Sequence, residues 1–122
     1  MDILNRLLSG GVKTISPEEA YRRLQDDPTT LIVDVRQPVE TQSGSVPGAV
    51  LIPLTEFGRR MAELPRDRPI LTICRSSHRS PIAARQLKRA GYDVTDVAGG
   101  TMAWQKAGLP MSDPRHGSGG AG

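Results

Sequence analysis

The sequence predicts an α/β fold in which a central, mainly parallel sheet carries helices on both faces. Two apolar runs, at residues 31–35 and 70–73, lack the alternation of a strand with one solvated face. Continuous runs of this kind are typical of parallel strands buried on both sides. Helix start signals lie between the runs, and strands that alternate with helices favour a parallel sheet. A chain of 122 residues is long enough for one domain with its own core.

Local signals define the other elements. Ser16, Pro17 and Glu19 form a capping box with proline at the first helical position. Pro81 opens another helix, and Gly91 supplies the left-handed stop after it. In chain order, we expect strands at 12–15, 31–35, 49–52, 70–73 and 94–97, helices at 17–26, 54–64, 81–90 and 100–107, and a loop at 38–48. The expected buried faces hold Phe57, Met61 and Leu64 in one helix, and Ile82, Ala83, Leu87 and Ala90 in another.

The chain is divided into an N-terminal arm at 1–13, one domain at 14–111 and a flexible tail at 112–122. The tail is rich in glycine, serine and proline. The arm is apolar at helical spacing but too short for a secretory signal or a membrane span. We therefore expect a cytoplasmic protein without a membrane partner.

Composition restricts the function further. The single cysteine, Cys74, excludes an internal disulfide and a multi-cysteine zinc site, and His78 and His116 are too far apart to suggest a metal centre. No metal or cofactor is expected. The net charge of +3 is concentrated at residues 68–92, which hold six Arg or Lys and no Asp or Glu. Since aromatic residues are scarce, this pattern favours small anions over nucleic acid.

The segment 70–81 carries the strongest functional signal. Cys74 follows the apolar strand directly and precedes a short basic loop and a helix start. Ligands of open α/β sheets bind at this edge, and backbone N–H groups and a helix N-terminus favour a thiolate and bound anions. Arg75, Ser76, Ser77, His78 and Arg79 are the expected substrate-binding residues. This hypothesis requires a sulfur within reach of solvent and amides turned towards it; the alternative is a small buried side chain at a strand end.

Three blocks of sequence, in this order, resemble the signatures of a single rhodanese domain. The resemblance covers about residues 15–111 and is specific because all three blocks are present. The blocks are Asp34-Val35-Arg36 with Glu40 and 44–49, then 74–80, and finally Gly91-Tyr92, 98–100, Trp104 and 108–110.

The resemblance implies a sulfurtransferase that uses Cys74 as the catalytic sulfur carrier. A small anionic donor, thiosulfate or a persulfide, would leave its outer sulfur on Cys74, and cyanide or a thiol would accept it. A sulfur-carrier protein is a further expected partner. Two positions depart from many relatives: Thr41 replaces an aromatic residue, and Ser77 replaces a glycine that adopts positive φ without strain. The basic Arg75 favours thiosulfate or persulfides over mercaptopyruvate.

Supporting roles are expected for the residues around the loop. Arg79 is expected to fix the loop through an ion pair with Glu40, and also to attract anions. Asp34 is expected to cap or pair with Arg36, which either reaches the pocket mouth or forms a surface pair. Ser80 is expected to cap the helix.

Two other functions remain open. Trp104 is expected to pack in the core and not to serve as a substrate platform. A phosphatase or arsenate reductase would use five residues between cysteine and arginine, whereas four separate Cys74 from Arg79. A carrier or protein-binding module with little turnover is not separated from an enzyme by sequence.

Overall fold

The computed structural model describes residues 11–112, so most of the predicted arm and tail, with His116, lies outside the described residues. The strands are β1 (Lys13–Ile15), β2 (Leu31–Asp34), β3 (Val50–Leu51), β4 (Ile70–Ile73) and β5 (Val94–Val97). The α helices are α1 (Pro17–Asp26), α2 (Leu54–Arg60), α3 (Ser80–Arg89) and α4 (Gly100–Lys106). Two 3-10 helices span Pro38–Ser43 and Met61–Glu63.

The five strands form one sheet in the order β1-β5-β4-β2-β3. Every neighbouring pair is parallel, which confirms the predicted fold class. The apolar β4 lies in the middle of the sheet, and all four of its residues are buried. The residue that follows β4 is therefore at the centre of the carboxyl edge.

Helices cover both faces of the sheet, as predicted. One core packs Phe57 of α2 and Leu87 of α3 against the sheet. The other core contains Ala20 of α1 and Trp104 of α4. The Trp104 side chain is fully buried, and its Nε1–H donates to the Pro110 carbonyl at 2.8 Å. Its predicted place in the core is confirmed.

The segment predicted as a loop at 38–48 contains the 3-10 helix Pro38–Ser43. The prediction counted prolines and glycines but overlooked Glu40, whose carboxylate accepts the Gln37 N–H at 2.8 Å and stabilises the first turn. Past this helix, Ser45 exchanges two backbone hydrogen bonds with Ser112, at 2.7 and 3.3 Å. The end of the described chain is thus held beside this segment.

The predicted buried face of α3 was wrong at one position. Ile82 is 38% exposed, although it was expected in the core. The buried stripe instead begins at Ser80 and continues through Ala83, Ala84 and Leu87, which follow it at helical spacing. A serine occupies the first position of this stripe. A prediction based on apolar residues alone therefore misplaced the buried face of the helix.

None of the helices between residues 11 and 112 has both the length and the apolar character required to cross a bilayer.

Candidate active site

Cys74 lies directly after β4, and the loop of residues 74–79 connects it to α3. The Ser77 N–H donates a hydrogen bond to the Cys74 Sγ at 3.2 Å. The loop can make this turn because Ser77 has φ +71°, the one positive φ outside glycine among residues 11–112. The chain therefore curls around the sulfur as the sequence predicted.

Ser77 compensates for its strained backbone. A left-handed conformation costs a non-glycine residue roughly 1 kcal/mol or more. The Ser77 Oγ accepts the Gly99 N–H at 2.6 Å, a contact that glycine could not make. Many rhodanese relatives have glycine at this position, which adopts positive φ without strain. Ser77 lacks that freedom but gains a hydrogen bond to the segment before α4.

Hydrogen bonds lower the pKa of Cys74. Burial acts as the largest single influence and raises the pKa, because it disfavours the charged form. The Ser80 hydroxyl and the backbone amides of Ser80, Arg79 and Ser76 oppose burial and together outweigh it. The net shift is downward from the ordinary value, in the direction that favours a thiolate.

The sulfur is not open to solvent. Cys74 is 0% exposed, so the accessible thiol required by the sequence hypothesis is absent in this conformation. The amides nonetheless turn towards the sulfur. The loop that covers it is only partly buried, and Arg75 and His78 are exposed. A reagent therefore reaches the sulfur only when this short surface loop shifts.

The start of α4 packs directly against the cysteine loop. The Thr101 N–H donates to the Cys74 carbonyl at 2.8 Å, and the Met102 N–H donates to the Arg75 carbonyl at 3.1 Å. A Cβ at Gly100 would lie 2.4 Å from backbone atoms of Cys74 and Arg75. Sequence reasoning placed a helix start at residue 100 and missed this close approach.

Arg79 forms the predicted ion pair with Glu40. Its two terminal nitrogens donate to the two carboxylate oxygens at 2.6 and 2.8 Å. Hydrogen bonding from Arg79 is the largest influence on Glu40 and lowers the pKa of this carboxyl to about 2. The Arg79 guanidinium therefore links the end of the cysteine loop, where α3 begins, to the 3-10 helix.

Asp34 and Arg36 form a buried pair behind the loop. Their side chains meet at 2.7 Å and both residues are almost fully buried. The alternative of a surface pair for Arg36 was wrong. The guanidinium also donates to the carbonyls of Glu40 and Gly44, at 3.1 and 2.9 Å. The pair thereby holds the segment from which Glu40 reaches Arg79.

The exposed side of the site is basic. The His78 Nδ1 lies 3.0 Å from the Ser76 Oγ. Next to the loop, a cavity of about 240 Å³ is lined by Arg36, Glu40, Arg75 and Met102 among others. Arg75 and Arg36 thus line the same cavity, in agreement with the expectation that Arg36 reaches the mouth of a pocket.

Ser80 does not cap α3, contrary to prediction. The N-cap residue is Arg79, and its side chain makes no capping hydrogen bond. Ser80 is instead the first helical residue, and its buried Oγ has no hydrogen-bond partner of standard geometry. The Ser80 hydroxyl contributes to the lowered pKa of Cys74, whereas burial is the largest influence on Asp96 and raises the pKa of that carboxyl.

Asp96 is a site neighbour that sequence reasoning missed. It lies in β5, is 1% exposed and accepts a hydrogen bond from the Thr72 hydroxyl at 2.8 Å. The available signal was a charged residue inside a strand predicted to be buried. Within residues 11–112, no three His, Cys, Asp or Glu side chains come together as a possible metal site.

Known proteins with the same pattern place the chain in a family. The model of the rhodanese-like domain matches residues 16–107. A sulfurtransferase from Allochromatium vinosum is 38% identical over 104 residues, which cover 84% of this chain and 97% of that protein. A crystal structure of a rhodanese-related protein from Thermoplasma volcanium has a TM-score of 0.78 at 29% identity, covering 83% of this chain and 98% of that one.

A thiosulfate sulfurtransferase from Pseudomonas aeruginosa has a TM-score of 0.76 at 29% identity, over 90% of this chain and 21% of the larger protein. The family match spans β2, the cysteine loop and α4, the elements that build the site described above. The chain belongs to the rhodanese-like domain family.

Proposed function

We propose that this protein is a sulfurtransferase in which Cys74 carries sulfane sulfur from a small anionic donor to a nucleophilic acceptor. The observation that supports this most directly is the Cys74 sulfur itself, which accepts a backbone N–H and has a lowered pKa. A lowered pKa increases the fraction of the thiol that is ionised, and the thiolate is the nucleophilic form. The name of the Allochromatium relative supports sulfur transfer as the reaction.

The transfer runs in two balanced steps. The Cys74 thiolate attacks the outer sulfur of thiosulfate, the S–S bond of the donor breaks, and sulfite leaves with the bonding electron pair. Cys74 then holds a persulfide anion. Attack by cyanide or a thiolate on the terminal sulfur forms thiocyanate or a new persulfide, and the Cys74 thiolate returns as the leaving group. Neither step changes the total charge.

The donor class follows from charge at the opening. Arg75 and His78 are exposed on the cysteine loop. When their side chains are cationic, they attract anions and donate hydrogen bonds to them. Amides of the loop that face the sulfur also face charge that develops on it during transfer. Thiosulfate and persulfide anions suit this opening, and the Pseudomonas neighbour carries thiosulfate in its name. A sulfur-carrier protein or a small thiol would serve as physiological acceptor.

The loop and its supports have separate roles in this proposal. Cys74 reacts, and the residues from Arg75 to Arg79 surround the sulfur and the incoming anion. Supporting residues keep the loop in shape, and two of them, Arg36 and Glu40, also line the cavity beside it. The supporting residues are Asp34, Arg36, Glu40 and Ser80.

A phosphatase reaction is disfavoured by the arginine. Arg79 donates to both oxygens of Glu40, so it is not free to hold the oxygens of a phosphate. A carrier with slow turnover is the second candidate, because the sulfur is 0% exposed and requires a loop shift for each transfer. Cyanide-dependent turnover separates the two candidates.

The decisive experiment measures sulfite release from thiosulfate together with the intact mass of the protein. Wild type is expected to gain one sulfur atom and to release it as thiocyanate when cyanide is added. Cys74→Ser is expected to do neither. Since Cys74 is the sole cysteine, the adduct has one possible position among thiols.

A matched control keeps the thiol but moves it. Cys74→Ser combined with Gln25→Cys places one cysteine on the exposed surface of α1. This variant is expected to be inactive. Turnover by a folded Cys74→Ser protein, or equal turnover by the control, would refute the proposal, and an adduct without cyanide-dependent turnover would favour the carrier.

A further inference from the structure

The cavity beside the cysteine loop is larger than an inorganic sulfur donor requires. Its volume of about 240 Å³ approaches the roughly 300–1,000 Å³ that organic ligands occupy. Thiosulfate and cyanide are small ions and would fill only a part of it. The lining comes from the 3-10 helix, the cysteine loop and the first two turns of α4, and includes Arg36, Glu40, Arg75, Thr101, Met102 and Gln105. The cavity therefore has room for the body of a larger substrate.

Two residues of the cavity lining are joined directly to Cys74. Arg75 is its neighbour in the chain, and the Thr101 N–H donates to the Cys74 carbonyl at 2.8 Å. The Met102 N–H donates to the Arg75 carbonyl at 3.1 Å, so the backbone that carries the Arg75 side chain is fixed against α4. A molecule held in the cavity is therefore in contact with the loop that encloses the sulfur.

One positive charge in the cavity has no counter-ion within the part of the chain that the structure describes. Arg36 is paired with Asp34 at 2.7 Å, and Glu40 is paired with Arg79 at 2.6 Å. These two pairs neutralise their own charges. No carboxylate between residues 11 and 112 forms an ion pair with Arg75, whose side chain is exposed. The cavity therefore favours a ligand that brings one negative group to this guanidinium.

The α4 side of the cavity is apolar and amide-like. Met102 is 49% exposed, although a large apolar side chain is usually buried. Its flexible thioether chain adapts to the shape of a ligand. The exposed Gln105 follows about one turn later and offers an amide that both donates and accepts hydrogen bonds. This side of the cavity suits the methylene and amide groups of an organic molecule.

We propose that this cavity binds the body of the sulfur acceptor, a small thiol that carries a carboxylate and an amide, as a short cysteine peptide does. The carboxylate pairs with Arg75, and the rest of the molecule contacts Met102 and Gln105. This inference rests on the proposed function, because it assigns the acceptor of the persulfide. The acceptor thiolate attacks the terminal sulfur on Cys74, the S–S bond breaks, and Cys74 leaves as the thiolate.

The kinetic test uses thiosulfate as donor and three acceptors: N-acetylcysteine, its carboxamide and cyanide. In Gln105→Glu, the new carboxylate competes for Arg75 within the cavity. The variant is expected to raise the KM of N-acetylcysteine, relative to the KM of cyanide, roughly tenfold over the wild-type ratio. The ratio for the uncharged carboxamide should rise much less. Since each ratio is compared with that of wild type, the intrinsic reactivity of each thiol cancels.

Gln25→Glu is the matched control, because it makes the same charge change at an exposed glutamine of α1. Its KM ratios are expected to equal those of wild type. Arg75→Gln provides the opposite arm, since it removes the positive charge. This variant is expected to abolish the preference of wild type for N-acetylcysteine over the carboxamide.

A binding measurement separates this inference from the sulfurtransferase proposal. In Cys74→Ser, the S-methyl derivative of N-acetylcysteine is expected to shift the backbone amide resonances of Met102 and Gln105. This NMR readout requires no sulfur transfer, so it remains informative if turnover is absent.

Three results would overturn the inference. One is an unchanged KM ratio for N-acetylcysteine in Gln105→Glu, and another is an equal rise for the carboxamide or in Gln25→Glu. The third is a set of amide resonances that the S-methyl compound leaves in place. If thiosulfate shifted those resonances instead, the cavity would be a donor site.

Discussion

Two helices of this protein begin with Ser-Pro, and they use the serine in different ways. In α1, Ser16 precedes the helix and its Oγ accepts the Glu19 N–H at 3.1 Å. In α3, the serine has moved one position into the helix, so that Arg79 is the N-cap and Ser80 is the first helical residue. Amides at the start of α3 act on the Cys74 sulfur instead of on a capping side chain.

The difference shows which contacts a helix start requires when its backbone amides act on a reactive sulfur. At the α1 start, the capping hydrogen bond is accepted by Ser16, the residue directly before the helix. The α3 start leaves its amides for the sulfur, and the loop before it is held by contacts from elsewhere: Glu40 on one side and the first turn of α4 on the other. Variants of these supports and of the α1 cap should therefore separate stability from thiol chemistry.

The largest effect is expected from Gly100→Ala. A Cβ at this position would lie 2.4 Å from the backbone of Cys74 and Arg75, and the residue has φ +65°. The neighbouring backbone atoms cannot move aside as the end of a flexible side chain can. We therefore expect the unfolding free energy to fall by about 3 kcal/mol and the cysteine loop to be displaced. Urea unfolding measures the first and Cys74 alkylation the second.

Gly58→Ala in α2 is the matched control, because a Cβ there meets nothing within 4 Å. It is expected to stabilise the helix by up to about 1 kcal/mol. An equally stable Gly100→Ala protein would show that the loop does not depend on the close approach of α4.

The next effect is expected from Glu40→Gln. Arg79 lowers the pKa of Glu40 to about 2 from an ordinary 4.5, so the pair stabilises the fold above about pH 4.5 and loses this contribution as the pH falls towards about 2. Because both side chains are partly exposed, we expect about 1.5 kcal/mol at neutral pH, less than the full shift would give. Unfolding free energies measured from pH 7 to pH 3 should show the wild type converging on the variant.

The comparable control is Glu63→Gln, because the Glu63 carboxylate pairs with Arg60 on the exposed surface. Its effect on the unfolding free energy should be clearly smaller than that of Glu40→Gln, because solvent screens an exposed ion pair. A pH dependence that survives in Glu40→Gln would assign the acid sensitivity to another carboxyl group.

Ser16→Ala should cost about 1 kcal/mol of unfolding free energy, the usual contribution of a capping side chain. The pH dependence of Cys74 alkylation, which reports the thiol pKa, should not change, because α1 lies on the other face of the sheet from the cysteine. This variant is the counterpart of Ser80→Ala, for which the thiol pKa is expected to rise, because the Ser80 hydroxyl contributes to lowering it. A shifted thiol pKa in Ser16→Ala would remove the distinction between the two helix starts.

The smallest effect is expected from Ser77→Gly. Glycine relieves the positive φ, worth roughly 1 kcal/mol, but loses the hydrogen bond from Gly99, worth about as much. The net change in unfolding free energy should be under about 0.5 kcal/mol. Ser77→Ala keeps the strain and loses the bond, so urea unfolding should find it about 1 kcal/mol less stable than wild type.

Much of this architecture could be predicted because its signals are local. The apolar runs identified β2 and β4, and Ser16 with Pro17 identified the start of α1. The ion pair of Arg79 with Glu40 was predicted from charge and from the family pattern. These features depend on residue type and spacing, which the sequence displays directly.

The remaining features depend on helix phase and on packing between distant segments. Ser80 was expected to cap α3 but is its first helical residue, and Ile82 was placed on the buried face because the apolar pattern did not anticipate a buried serine. Asp96 could not be linked to Cys74, because 22 positions separate them in the chain and only the pairing of β4 with β5 joins them. The burial of the sulfur is likewise a property of the folded loop.

The antiparallel contact between Ser45 and Ser112 has a practical consequence for assays. Ser45 follows Gly44, whose carbonyl accepts a hydrogen bond from Arg36, and Arg36 lines the cavity next to the cysteine loop. Ser112 therefore lies beside the segment that borders this cavity. Gly11, at the other end, lies against Lys88 near the close of α3, by the amino edge of the sheet. A reporter group attached at position 112 would therefore be nearer to this cavity than one attached at position 11.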